Sequence, residues 1–285
     1  MRRYLVENTI WRTVSLGAAL ILGLAVLSLG ETEAGPRGAP PDPLPRAGTE
    51  LASAPEVDVE LVLAVDISQS MDKEEQKIQR EGYVSAILSP QFLQAVKLGP
   101  IGRIAVTYIE WGGKGEHFTV ANWQMIEDAA DARAFAAKIA EAPLRKVQRT
   151  SISSALVHAS LAMEVNGFQG LRKVIDISGD GPNNQGELVT ASRDAVLASG
   201  VTINGLPLML KKRSIGWYHL PNLDHYYQDC VIGGPGAFAI PVKSLEGFAD
   251  AIRMKLVMEI AGLTPNPPGV MPAVGRELVP CNIFE

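Results

Sequence analysis

Apolar residues in this chain gather in short β-branched runs, and the stretches between them carry apolar positions at helical spacing. The first run lies in residues 57–71, VDVELVLAVDISQSM. Residues 59–65 predict a buried strand that stops at Asp66 and releases Ser68 and Ser70 into a loop. Residues 72–75 (DKEE) open a helix with acid in its first turn, where the helix dipole favours it. Ile78, Tyr83, Ile87 and Leu88 give that helix a buried face. Ser89-Pro90 interrupts it, and residues 91–97 form a second short piece. Residues 103–111 (RIAVTYIEW) predict a central strand, paired through the glycine turn 112–115 with another at 117–126. An Ala-rich helix follows over 128–142, with Phe135 and Ile139 on one face, and a polar loop at 149–151 runs into the next helix.

Residues 173–177 (KVIDI) predict a short strand broken by 178–184 (SGDGPNN). The helix predicted over 187–199 is closed by Gly200, which suits the left-handed position after a helix. Strands are expected at 201–209 and 237–242. The last helix is expected over 244–260, with Ser244 as N-cap and Leu245, Phe248, Ile252, Leu256 and Ile260 on one face. Strands alternating with helices imply an α/β fold, a doubly wound and mostly parallel sheet with helices on both faces.

The ends of the chain read differently. Arg2, Arg3 and Arg12 precede the apolar run 14–29, the pattern of a secretory signal or of a retained membrane anchor. Small residues over 30–34 favour cleavage, and either reading takes the rest of the chain out of the cytoplasm. The expected organisation is a signal or anchor at 1–34, a Pro/Gly-rich linker at 35–55, a globular domain at 56–262 and a C-terminal tail at 263–285. The expected location is periplasmic or secreted, with inner-membrane anchoring as the alternative.

Composition narrows the chemistry. The chain has 285 residues, a formal net charge of −5 and no Lys/Arg-rich run, which argues against a nucleic-acid partner. Its four His and two Cys form neither CxxC nor HExxH, so structural zinc and zincin chemistry lack their ligands. In an exported chain Cys230 and Cys281 can pair, stapling the Pro-rich tail to the long connection 211–236; two free thiols are the alternative. That connection concentrates Trp217, Tyr218, His219, His225, Tyr226 and Tyr227, which suit either an interface or the covering of a sheet edge.

Three polar loops lie beside predicted strands or helices: 66–70, 149–151 and 179–184. In a doubly wound sheet such loops can converge where ligands bind, beyond the C-terminal ends of the strands. Together they offer the carboxylates of Asp66 and Asp180 and the hydroxyls of Ser68, Ser70 and Thr150. An all-oxygen set with few charges suits Mg²⁺, with Mn²⁺ or Ca²⁺ as alternatives.

Here the sequence resembles the von Willebrand factor A (VWA) family. Asp66-Ile67-Ser68-Gln69-Ser70 after a strand matches the DxSxS segment of its metal-ion-dependent adhesion site. Arg149-Thr150-Ser151-Ile152 resembles the second segment, and Ser178-Gly179-Asp180-Gly181 the third. The strand and the segment ISGDGPNN look like a bacterial exported subgroup, DUF1194. The resemblance implies a Rossmann-like domain that binds Mg²⁺ and, through it, an acidic group of a protein partner. It implies Ser68 and Ser70 as direct ligands, Thr150 as a ligand that shifts with state, Asp66 acting through its neighbours or water, and Asp180 as an outer carboxylate. Gly179 departs from the Thr or Ser that the family usually places before Asp-Gly.

The rival reading is a phosphohydrolase. Residues 179–184 (GDGPNN) also resemble the GDGxND loop of haloacid-dehalogenase-type phosphatases, with Asp66 as nucleophile. That chemistry requires an Asp two residues after the nucleophile, where this chain has Ser68; Asn184 stands at the loop's second acidic position. No GxSxG elbow is present and no His has a triad setting. The expectation is a binding module rather than an enzyme, with a structural or assembly domain carrying a vestigial site as the third reading.

Overall fold

A computed structural model describes residues 53–210, 220–265 and 277–283, all within the compact unit Glu50–Glu285. The apolar run 14–29 and the residues Trp217, Tyr218 and His219 lie outside the described residues.

Strand β1 (Glu56–Asp66) is buried along almost its whole length. It is the middle strand of a five-stranded sheet in the order β3-β2-β1-β4-β5, with β2 at Ile104–Trp111, β3 at His117–Ile126, β4 at Gln169–Gly179 and β5 at Val201–Pro207. Only β2 and β3 pair antiparallel; β1 is parallel to both its neighbours, and β4 to β5. β1 therefore takes the central place expected for residues 103–111. The chain first builds outward from β1 through β2 to β3, then crosses back to β4 and β5. The switch point lies between β1 and β4, whose C-terminal ends carry Asp66 and Asp180.

The alternation of β1 explains the two layers. Val59, Leu61, Leu63 and Val65 enter one core with residues of α1 (Lys73–Ile87), α2 (Pro90–Leu98), α3 (Ala129–Glu141) and α7 (Phe248–Ala261). Val62 and Ala64 enter the other, with α4 (Ile152–Glu164), α5 (Val189–Ala198), α6 (Leu223–Tyr226) and the π-helix Tyr227–Val231. Both faces of the sheet are covered, so its inner strands read as continuous apolar runs.

Helix starts follow local chemistry. Asp72 and Glu75 form a capping box on α1, and Asp128 and Asp131 form one on α3. Ser89 caps α2 with Pro90 at its first position.

Several expectations need correction. Leu88 is exposed rather than on the buried face of α1, because it follows the last helical residue as C-cap. β4 is longer than residues 173–177. Residues 237–242 do not form a regular strand. They make isolated parallel bridges, Gly205 to Ala239 and Leu208 to Val242, and Pro241 has no N–H to give a ladder. Ser244 does not cap the last helix: its Oγ accepts from Gly247 N in a preceding turn, and α7 starts at Phe248, leaving Leu245 exposed.

Candidate metal centre

β1 ends by placing Asp66 completely inside the protein. Its Oδ1 accepts from Ser68 N at 2.7 Å, an Asx turn that swings the chain off the sheet. Ser68 is buried and Ser70 exposed, yet their Oγ atoms lie 2.9 Å apart. Ser70 Oγ in turn donates to Asp180 Oδ1 at 2.5 Å. Asp66, Ser68, Ser70 and Asp180 are thus joined by hydrogen bonds across the ends of β1 and β4.

The second loop is fastened to the first and third by backbone. Val147 N donates to Ile67 O at 3.2 Å, and Ser151 N to Gly112 O at 2.7 Å. Thr150 N donates to Asn184 Oδ1 at 3.0 Å while Asn184 N donates to Thr150 O at 2.9 Å. Asn183 Oδ1 accepts from Ser153 N at 3.0 Å, and Asn183 N donates to Tyr226 Oη at 3.2 Å. Thr150 is buried beside the third loop, its Oγ1 4.0 Å from where a Cβ on Gly181 would stand. Sequence reasoning saw Asn184 only as a missing acid. It is a brace that sets the backbone of Thr150, and no local sequence signal marks that role.

Asp66 differs from the other buried carboxylates of β1. Asp58 accepts from Ile101 N at 2.9 Å with one oxygen and Gly102 N at 2.7 Å with the other. Glu60 accepts from Gly170 N at 2.7 Å and Asn166 Nδ2 at 2.6 Å. Asp66 Oδ2 is buried without a partner. Burial, and next the charge of Asp180, push the Asp66 carboxyl up to about 8, against the pull of hydrogen bonds from Ser68 and from the Asp180 backbone. A fully buried acid beside a second acid, with an oxygen left over, is a place short of positive charge.

The donors present fit a hard cation. They are hydroxyls and two carboxylates, the ligand type of Mg²⁺ or Mn²⁺ rather than of a thiolate or imidazole site. Among the described residues no group of three or more His, Cys, Asp or Glu could hold a metal ion, so any site here depends on hydroxyls. Away from it, the imidazoles of His117 and His158 stack at 4.3 Å, and His117 Nε2 lies 3.1 Å from Ser154 Oγ. Cys230 and Cys281 form a disulfide with Cα atoms 5.5 Å apart.

A family model described as "Protein of unknown function (DUF1194)" matches residues 56–264. The chain belongs to the DUF1194 family. No curated protein matches it in sequence.

Solved structures place this DUF1194 domain among VWA folds. The pilus adhesin SpaC from Lactobacillus rhamnosus GG superposes with a TM-score of 0.53 at 16% identity, over 72% of this chain and 31% of that one. Proximal thread matrix protein 1 from the mussel byssus, in a form described with a zinc-occupied MIDAS motif, gives 0.52 at 15% identity, over 74% and 49%. A von Willebrand factor type A protein from Catenulispora acidiphila gives 0.50 at 14%, over 72% and 43%. The matched region is less than half of each of these chains. At such identities the likeness is one of fold.

Proposed function

We propose that this DUF1194 domain is an exported, metal-dependent protein-binding module. Ser68, Ser70 and Thr150 hold a Mg²⁺ or Mn²⁺ ion, while Asp66 and Asp180 balance its charge from just outside. The observation that carries the reading is the buried, unpartnered Asp66 Oδ2 next to Asp180, at the end of a string of hydroxyls. A cation bound there offsets the cost of burying that carboxylate. When bound, the ion supplies an electrophilic position to which an acidic group of a partner can attach. Lys146 and Arg149, exposed in the loop before Thr150, give that rim positive charge suited to an anionic partner. The zinc-occupied motif of the mussel protein supports metal binding on this fold, and the Cys230–Cys281 bond supports an oxidising compartment outside the cytoplasm. Among the described residues no helix is long and apolar enough to cross a membrane.

Thermal unfolding of the disulfide-intact protein tests the reading, first in EDTA and then in excess Mg²⁺ or Mn²⁺. A ligand that binds only the folded state at a hundred times its Kd adds about 2.7 kcal/mol. The expected result is a metal-dependent rise in Tm that Asp66→Ala abolishes. An equal rise in that variant places the ion elsewhere. The phosphohydrolase reading lacks its general acid, because Ser68 stands in that position; turnover of a phosphomonoester by the wild type would restore it.

A further inference from the structure

Two fully buried oxygens near the candidate centre have no hydrogen-bond partner, Asp66 Oδ2 and Tyr227 Oη. They border the same small space. A Cβ added to Gly179 would stand 2.9 Å from Tyr227 Oη and 3.0 Å from Asp66 Oδ2. Both oxygens therefore flank the position that a side chain of residue 179 would occupy, within one bridging water of each other. A second glycine admits the ring: a Cβ on Gly205 would stand 2.6 Å from Tyr227 Cδ1. Gly179 on β4 and Gly205 on β5 thus open a slot across the C-terminal ends of two paired strands, and Tyr227 fills it.

The delivery of Tyr227 is equally specific. It is the first residue of the π-helix Tyr227–Val231, a widened turn of a kind that concentrates at functional sites. Cys230, in the same turn, is bonded to Cys281. The neighbouring Tyr226 uses its hydroxyl to accept from Asn183 N in the third loop. Two successive tyrosines thus reach the candidate centre from beneath. One is satisfied, and the other is aimed at the oxygen that Asp66 leaves over.

We propose that Tyr227 is a positioning residue of the metal centre: its phenol donates to Asp66 Oδ2 through one bridging water, and supplies the hydroxyl that Gly179 lacks. The inference rests on the metal-binding reading above. A phenol is protonated at neutral pH, so it serves as the donor that a carboxylate oxygen requires. Fixing Oδ2 holds the Asp66 charge in place behind Ser68, much as hydrogen-bonded partners hold the groups around a metal site.

The test uses the disulfide-intact chain as wild type, as Tyr227→Phe, and as the double variant Gly179→Ser/Tyr227→Phe. The double variant moves one hydroxyl from residue 227 to residue 179, where removal of Oη relieves the closest contact and leaves Asp66 Oδ2 at 3.0 Å from the new Cβ. Mn²⁺ affinity is read by electron paramagnetic resonance of the free ion, and metal-free stability by unfolding in EDTA. Tyr227→Phe keeps the ring and its packing and removes only the hydroxyl, so its metal-free stability should change little. Its Mn²⁺ Kd should weaken about tenfold or more, and the double variant should recover most of that loss. An unchanged Kd in Tyr227→Phe overturns the proposal. So does a fall in metal-free stability with no recovery in the double variant, since that is the signature of a packing role. Failure of the wild type to bind Mn²⁺ or Mg²⁺ is a separate result: it removes the metal-binding reading and this proposal with it.

Discussion

At the scale of single residues, the buried acids of this protein sort by what neutralises them. Asp58 and Glu60 are neutralised by N–H donors, and Asp66 by hydrogen bonds from Ser68 and the Asp180 backbone and, on the proposed reading, a cation. Asp176 and Glu259 share the ammonium of Lys255, which is itself fully buried. Lys255 Nζ lies 2.5 Å from Asp176 Oδ1, is paired with Glu259 Oε1, and sits 5.8 Å from the centroid of the Phe238 ring. Asn204 Nδ2 donates to Glu259 Oε1 at 3.0 Å. One cation faces two acids, so the cluster favours an extra proton. Burial first, and then Asp176, push the Glu259 carboxyl up to about 7 despite Lys255. A raised carboxyl binds more protons folded than unfolded, so its stabilisation is complete below the unfolded carboxylate range and is lost as pH rises through about 7. Unfolding free energy measured in EDTA should therefore fall between pH 5 and pH 8. Glu259→Gln, which keeps an oxygen for Lys255 and for Asn204, should remove Glu259's share of that slope. Equal slopes in the two proteins would show that Glu259 titrates normally.

At the scale of elements, what could be read in the sequence was what local chemistry decides. The apolar run of β1, its stop at Asp66 and the acidic opening of α1 are each set within a few residues. The three polar loops are local features too, and a doubly wound topology brings them to one end of the sheet. Apart from the Cys230–Cys281 pair, contacts over long separations stayed hidden. The stacking of His117 on His158 and the seat of Tyr227 against Gly179 and Gly205 have no signature in spacing. The early N-cap assigned to Ser244 failed because a Ser in a turn and a Ser capping a helix look alike before the chain is packed. Asn184 is the sharpest case, because one side chain and its own N–H hold both sides of Thr150. Removing the amide strands Thr150 N in a buried setting, which costs about 1–3 kcal/mol. Asn184→Ala should show that loss in urea unfolding and should weaken Mg²⁺ binding, because the loop carrying Thr150 is released. A variant that loses stability but keeps its Mg²⁺ affinity would mean that Thr150 does not belong to the centre.

At the scale of the whole molecule, the second core packs, among the described residues, against short elements as well as against α4 and α5. It is closed by α6, the π-helix and the short segment 277–283. That segment is held at two points: Val279 N donates to Asp229 Oδ2 at 3.0 Å, and Cys281 is bonded to Cys230 across a sequence separation of 51. One hydrogen bond to a carboxylate contributes about 1.5–3 kcal/mol at most, little against the entropy of ordering a tail. The covalent link acts chiefly on the unfolded chain, and a loop of this length is worth about 4 kcal/mol in the entropic account. Since marginal stability is the rule for domains of this kind, much of the net stability should depend on that one bond. Reduction with a phosphine, or Cys281→Ser, should lower the unfolding free energy by about 2–4 kcal/mol. Because the bond lies in the turn that carries Tyr227, the same change should weaken Mn²⁺ binding beyond what Tyr227→Phe does alone. Thiol titration of the unreduced protein in denaturant comes first: it should find no free sulfhydryl, and two per chain would refute the link and the energetic argument built on it.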